Sequence, residues 1–319
     1  MRSAASLAAA VLLCGCGNFS TEDLEFHEAL PTRETLQVVL PAPALPAGAQ
    51  AAVTCASGLG EATGWTEART IGVSVNAGLD WILRVVDLVR SLEPTRRETN
   101  RRSWGPFPDG KHPGIENRIV VWREFDPAGT PTYHFAFEAR RPAQPIDWTA
   151  LITGDFEGAY AARGRGTVTL HFDNIRALAV NDNPTDPAVA IPIGYDRRGE
   201  PRTLTLTIPA GAAGLGLIDF PYTWSSWNDG QGRFDYAVRD QAGNRVVWAA
   251  RFAADGAGRG DVVIYPATPP PVSYPFSTCW DASGCYVGVN DPFNVTRLCG
   301  TAASCVVDWP AACPTAYRQ

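Results

Sequence analysis

At 319 residues, with 45% hydrophobic and 19% charged side chains, the chain is long and apolar enough for one large or two modest domains. Its formal charge of −6, with Lys111 the single lysine, offers no phosphate-neutralising surface and excludes nucleic acid as an expected partner.

The chain opens with Met1 and Arg2, then an apolar run from Ala4 to Leu13 that ends in Leu13-Cys14-Gly15-Cys16. A short basic start, an apolar stretch and a small residue before a cut mark a secretion signal. The run is far short of the ~20 residues needed to span a bilayer core. With Leu13 at −3, Gly15 at −1 and Cys16 at +1, this start resembles the signal of bacterial lipoproteins. The resemblance implies removal of residues 1–15, lipid attachment at Cys16 and a membrane as partner through that lipid. Gly17 stands where an inner-membrane retention signal has Asp, which implies an outer-membrane address, on the periplasmic face or the surface.

Residues 16–50 read as lipid anchor and tether. Within them Ser20 and Asp23 have capping-box spacing for a brief helix carrying Leu24, Phe26 and Leu30, which Pro31 stops. Thr35–Leu40 has strand composition, and Pro41, Pro43 and Pro46 break up the linker after it. From about Glu67 to Leu92 a helical period puts Ile71, Val75, Leu79, Ile82, Val86 and Val89 on one stripe. Asn76, Asp80, Arg84, Asp87 and Ser91 fall opposite, and Pro94 ends the helix.

After a Pro/Gly-rich connector, Trp104 to Gly110, the period changes to two. Tyr133/Phe135/Phe137, Val168/Leu170/Phe172, Leu204/Leu206/Ile208 and Phe234/Tyr236/Val238 each alternate with polar or small residues. Further strands are expected at Arg118–Phe125, Trp148–Phe156, Tyr222–Asn228, Arg245–Phe252 and Asp261–Tyr265. One wet face per strand and short turns argue an antiparallel sheet. Gly164-Arg165-Gly166, Gly230-Gln231-Gly232 and Gly258-Arg259-Gly260 each open a strand rather than a helix. They therefore read as hairpin turns with glycines at positive φ or at bulges, not as phosphate loops. The oxygen-rich stretch Asn181–Asp186 lacks the ordered spacing of a known calcium site.

A second proline stretch, Pro266 to Pro275, leads to a cysteine-rich tail, so the expected divisions are 51–265 for the body and 266–319 for linker and tail. Apart from the signal region, Cys55, Cys279, Cys285, Cys299, Cys305 and Cys313 are six, an even number that reads as three disulfides in an oxidising compartment. Six cysteines allow fifteen connectivities; Cys55 is placed to tie the region before the helix to the tail. The Cys-x5-Cys spacings are wider than structural zinc knuckles use, so no metal is expected. The body also resembles uncharacterised lipoproteins of myxobacterial type, through the Cys16-Gly17-Asn18 start, Glu28–Arg33 and Trp104–Pro108. That resemblance supplies no function.

No nucleophile elbow, paired-histidine zinc motif, phosphate loop or EF-hand is present, and no cofactor is expected. His27 falls in the tether and His112 in the connector, while His134 and His171 lie on wet strand faces where they could meet. Asp155, Glu157 and Asp173 sit at strand ends expected to be neighbours, the arrangement a carboxylate hydrolase would need. The expected fold is α+β and β-rich: a curved antiparallel sheet of roughly eight to ten strands packed on one long amphipathic helix, with a disulfide-rich C-terminal tail. Helix first and meander after is an order shared with periplasmic lipoprotein carriers, whose sheet wraps a helix around an apolar cavity. The expected function is a non-enzymatic, lipid-anchored envelope protein that binds an apolar ligand or an envelope protein. A structural or surface-adhesion module and an envelope carboxylate hydrolase are the alternatives.

Overall fold

A computed structural model of the chain describes residues 19–38, 55, 61–143, 147–157, 163–180, 189–208, 220–239, 242–267 and 273–290. Four helices lie among them: α1 (Thr21–Glu28), α2 (Arg33–Leu36), α3 (Thr63–Arg90) and α4 (Phe172–Ala177). The strands are β1 (Arg96–Glu98), β2 (Arg101–Pro108), β3 (Glu116–Phe125), β4 (Pro131–Arg140), β5 (Thr149–Glu157), β6 (Arg165–His171) and β7 (Ala190–Asp196). They continue as β8 (Arg202–Ile208), β9 (Phe220–Ser226), β10 (Gly232–Arg239), β11 (Arg245–Phe252), β12 (Gly258–Tyr265), β13 (Tyr274–Trp280) and β14 (Tyr286–Asn290).

All fourteen strands form one sheet in unbroken chain order, each antiparallel to the next. Where the connections are short, neighbouring strands can pair only this way, because a parallel partner needs a long crossover; β6 and β7 pair antiparallel although eighteen residues, α4 included, join them. Alternation assigns the faces. Tyr133, Phe135, Phe156, Val168, Ile193, Leu204, Trp224 and Phe234 are buried on the inner face, in one apolar core with Leu79, Leu83, Val86 and Val89 of α3.

The α+β expectation is corrected by this sheet. Strands, not a helix layer, make up the body: fourteen replace the expected eight to ten, and α1, α2 and α4 are short. The cysteine-rich tail does not begin as a separate unit, since β13 and β14 extend the same sheet. The Trp104–Gly110 connector is largely strand as well, β2 pairing with β3 around an irregularity between Trp104 and Phe107. The physical reason is shared. An inward Trp104 or Trp280, each with no exposed surface, outweighs the local signals of Pro106, Pro108 and Pro275.

Nor does the sheet roll around a helix in the manner of a carrier. Near one end of α3, Gly64 lies against Trp248 of β11 and Trp280 of β13; near the other, Val86 and Val89 meet Ile119, Phe135 and Ile152 of β3–β5. From Gly64 to Val86 the helix rises about 33 Å. The seven strand gaps from β4 to β11 span about 34 Å at the usual spacing. The helix therefore crosses the strands and spans half of the sheet.

Residues 19–38 are docked on the body, and Thr35–Leu40, expected as a strand, begins instead within α2. The capping box at the start of α1 is present, Ser20 Oγ accepting from the Asp23 amide and Asp23 from the Ser20 amide. Phe26, Leu30, Leu36 and Val38 are buried. Asn76 of α3 bonds both backbone groups of Val38, at 2.8 and 2.9 Å, and Arg90 donates to the Leu30 carbonyl at 2.7 Å. Arg197, after β7, donates to the Thr35 carbonyl at 2.7 Å.

Candidate functional site

On the inner face β9, β10 and β11 present a continuous aromatic wall. Trp224 and Phe234 stack with centroids 4.5 Å apart, Tyr222 and Tyr236 at 5.5 Å, and Tyr236 and Trp248 at 6.0 Å. The wall follows from period two: Tyr222 and Trp224 alternate inward on β9, as Phe234 and Tyr236 do on β10, and the register sets Trp224 beside Phe234 and Tyr236 beside Trp248. All five rings are more than nine-tenths buried.

Two features distinguish this wall from ordinary core. Glu67 of α3 accepts a hydrogen bond from the Tyr236 hydroxyl, so a carboxylate reaches into the aromatic layer. Burial, reinforced by Glu67, pushes the Tyr222 and Tyr236 phenols well above their ordinary range. The indole N–H groups of Trp224 and Trp248 are buried and have no acceptor among the described residues. Buried donors are almost always paired, because an orphan one costs its desolvation, about 1–3 kcal/mol. Trp104 shows the usual solution, its Nε1 donating to the Leu92 carbonyl at 2.9 Å.

The expected carboxylate cluster is only partly assembled. Asp155 and Glu157 line an open depression of about 390 Å³ on the outer face with Arg165, Tyr195, Asp196 and Thr205. Asp173 lies elsewhere: Glu157 pairs with Arg165 at the start of β6, whereas Asp173 follows its far end on α4. Glu157 is held by Arg165 at 2.6 Å and Asp196 by Arg198 at 2.6 Å. Burial raises the Asp155 carboxyl, partly countered by His134 and reinforced by Glu157. Gly166 backs this depression from the inner face, where a Cβ would stand 2.8 Å from the hydroxyl of the inward Tyr195. Of the three Gly-x-Gly repeats, Gly230 has the expected positive φ, at 86°, while Gly166 and Gly258 admit close rings, Tyr195 and Trp280.

The two strand histidines do not meet. His134 stacks on Trp122 at 5.2 Å and stands opposite Asp155, whereas His171 Nε2 pairs with Thr153 Oγ1 at 2.9 Å. His112 lies beside Asp109 in the β2–β3 turn, at 3.3 Å. His27, expected in a free tether, is buried between Phe19 and Trp104.

Cys55 and Cys285 form a disulfide, with Cα atoms 5.4 Å apart across 230 residues of sequence. It ties the segment before α3 to the β13–β14 hairpin, where Tyr286 also bonds Thr63 through its hydroxyl. Cys279 is disulfide-bonded too. Cys16, Cys299, Cys305, Cys313 and the Asn181–Asp186 loop lie outside the described residues. Among the described residues no cluster of His, Cys, Asp and Glu could hold a metal ion, and no helix is long and apolar enough to cross a membrane.

Comparison with known protein families, with curated proteins and with solved structures finds no match to this chain. The sequence shows the Phe234/Tyr236 alternation and the Tyr222–Asn228 and Arg245–Phe252 strands separately; which rings share a face depends on the register between strands.

Proposed function

We propose that this chain is a lipid-anchored cell-envelope protein of the outer membrane. In this reading it has no catalytic role and binds an apolar ligand that carries hydrogen-bond-accepting atoms. Cys16 holds the anchor, and two or more acyl chains on one cysteine give lasting attachment where one gives marginal binding. The observation that carries the ligand is the pair of indole donors, Trp224 Nε1 and Trp248 Nε1, unpaired among the described residues, in a wall of stacked rings. Rings supply apolar area, and the orphan N–H groups favour a molecule with acceptor oxygens, such as an acyl ester or amide. The committed state of Glu157 and Asp196 leaves Asp155 without a second free carboxylate in its depression, which is why the reading contains no hydrolytic step.

Native mass spectrometry of a Cys16→Ser chain exported and purified without detergent tests the ligand. A co-purifying acyl-bearing molecule, lost together from Trp224→Phe and Trp248→Phe, is the expected result. A bare polypeptide mass under conditions that keep the fold would remove the ligand from the reading while leaving the anchor standing.

A further inference from the structure

The anchor and the body are joined by a far shorter link than the length of the N-terminal segment suggests. Docking begins at Phe19, whose ring meets His27 edge-on at 4.9 Å, and α1 is capped from Ser20 onward. From Cys16 to Phe19 is three residues, a reach of about 10 Å when fully extended. Whatever surface surrounds the start of α1 must therefore lie against the leaflet that holds the lipid.

That surface is built from α1, the β1–β2 hairpin and the end of β3. Glu22 pairs with Arg102 at 2.6 Å and with Arg123 at 2.8 Å, and Asp23 pairs with Arg97 at 3.1 Å. These bonds place the hairpin directly beside the first turn of the helix. The hairpin is exposed along Arg96–Arg101. Asp23, Glu22 and Glu25 are used by Arg97, Arg102 and Arg123, but Arg101 has no ion partner among the described residues; Arg96 projects with its side chain 75% exposed and pairs only with the exposed Glu98, at 2.6 Å, a surface contact that solvent or a headgroup can replace. Two of the four large apolar side chains that stand exposed among the described residues, Leu24 and Phe125, are also here. Arg123 bonds the Glu22 and Glu25 carboxylates on one face of α1 and lies 5.4 Å from the Phe125 ring, while Leu24 stands exposed on another face of the same helix.

We infer that the β1–β2 hairpin, with Leu24 and Phe125, is a membrane-apposed face that contacts anionic phospholipid headgroups through Arg96 and Arg101. Basic side chains near an anionic surface gain attraction, and apolar side chains at the same level enter the headgroup boundary. The inference rests on lipidation of Cys16. It adds an orientation: the strands from β6 onward, and the aromatic wall, are carried away from the anchored edge.

The test uses the full lipidated protein in vesicles of phosphatidylethanolamine and phosphatidylglycerol, followed by hydrogen–deuterium exchange. A second protein carries a flexible insert of about twenty Gly and Ser residues after Asn18, long enough to let the body drift from the surface. Both should float with the vesicles, which reports the anchor separately. Exchange in peptides covering 95–101 should be about tenfold slower in the native chain than in the insert variant. Equal exchange in two proteins that both float overturns the inference while leaving the anchor intact; failure of either to float overturns the anchor itself. A variant with Arg96→Ala and Arg101→Ala should float yet lose the protection, and unchanged protection there would overturn the headgroup contact.

Discussion

Asp23 and Arg102 meet at 2.6 Å with both side chains buried, although seventy-nine residues separate them. One is the capping-box carboxylate inside the first turn of an eight-residue helix, three residues after its N-cap Ser20, the other an inward arginine of β2. Breaking a buried pair by deleting one partner leaves an uncompensated charge and costs about 3–5 kcal/mol. Asp23→Ala is therefore expected to release residues 19–38 and lower stability by about that amount in urea unfolding. A change below about 1 kcal/mol would mean that the segment is not held by this pair.

Acid should loosen the same segment in two stages. His27 is held below its ordinary value by burial and by Arg90, with Asp23 opposing, so the fold keeps it neutral. Its contribution is present above the unfolded value of about 6.5 and is lost as pH falls below it. For Asp23, burial raises the carboxyl, but bonds from Arg102, Ser20 and Arg97 outweigh it and hold it far below the ordinary carboxylate range. That contribution is present above about pH 4 and is lost on further acidification. Limited proteolysis across pH 8 to 3 should show cleavage within 19–38 appearing first near pH 6 and sharply below pH 4. His27→Phe should delete the first stage. Protection that is flat over the whole range would contradict both.

The Cys55–Cys285 bond closes a very long loop, which restricts the unfolded chain more than a short loop would. Replacing both cysteines with serine is expected to cost about 2–5 kcal/mol. It should also free the segment before α3, where Ala62 donates to the Gly284 carbonyl at 2.8 Å. Thermal unfolding with and without reductant checks this, and the double variant should be insensitive to reductant at this bond.

The tryptophans divide by whether their N–H is used. Trp104→Phe loses ring volume and strands the Leu92 carbonyl, so it should destabilise by about 2–3 kcal/mol. In ligand-free protein Trp224→Phe loses volume but removes an orphan donor, and the two effects should offset to within about 1 kcal/mol. Equal losses in both variants would mean that Trp224 Nε1 is satisfied after all.

What could be read from the sequence was local. The Ser20–Asp23 cap needs three residues of spacing, and it is there. β3, β4, β6 and β11 carry clean runs or alternation and were legible within a residue or two. β7 was not: Ile191, Ile193 and Tyr195 alternate inward, but Pro192 and Gly194 between them look like breakers until they are seen on the opposite face. β13 was hidden by Pro275 in the same way. Even parity announced disulfides and the place of Cys55 pointed it to the tail, as the structure has it, but which tail cysteine it meets, Cys285, could not be told from the sequence. Docking of residues 19–38 was illegible because its acidic residues look solvated until Arg97, Arg102 and Arg123 are brought to them from distant strands. The stacked wall was illegible for a related reason, since a one-residue slip in register would turn its rings outward.

Intact-mass and N-terminal peptide analysis of protein extracted from membranes tests the anchor most directly. The expected species begins at Cys16 and carries a diacylglyceryl group on its sulfur, with no peptide from residues 1–15. A mature chain that begins elsewhere, or one that keeps a free thiol at Cys16, would contradict the proposed membrane attachment and, with it, the proposed orientation of the body.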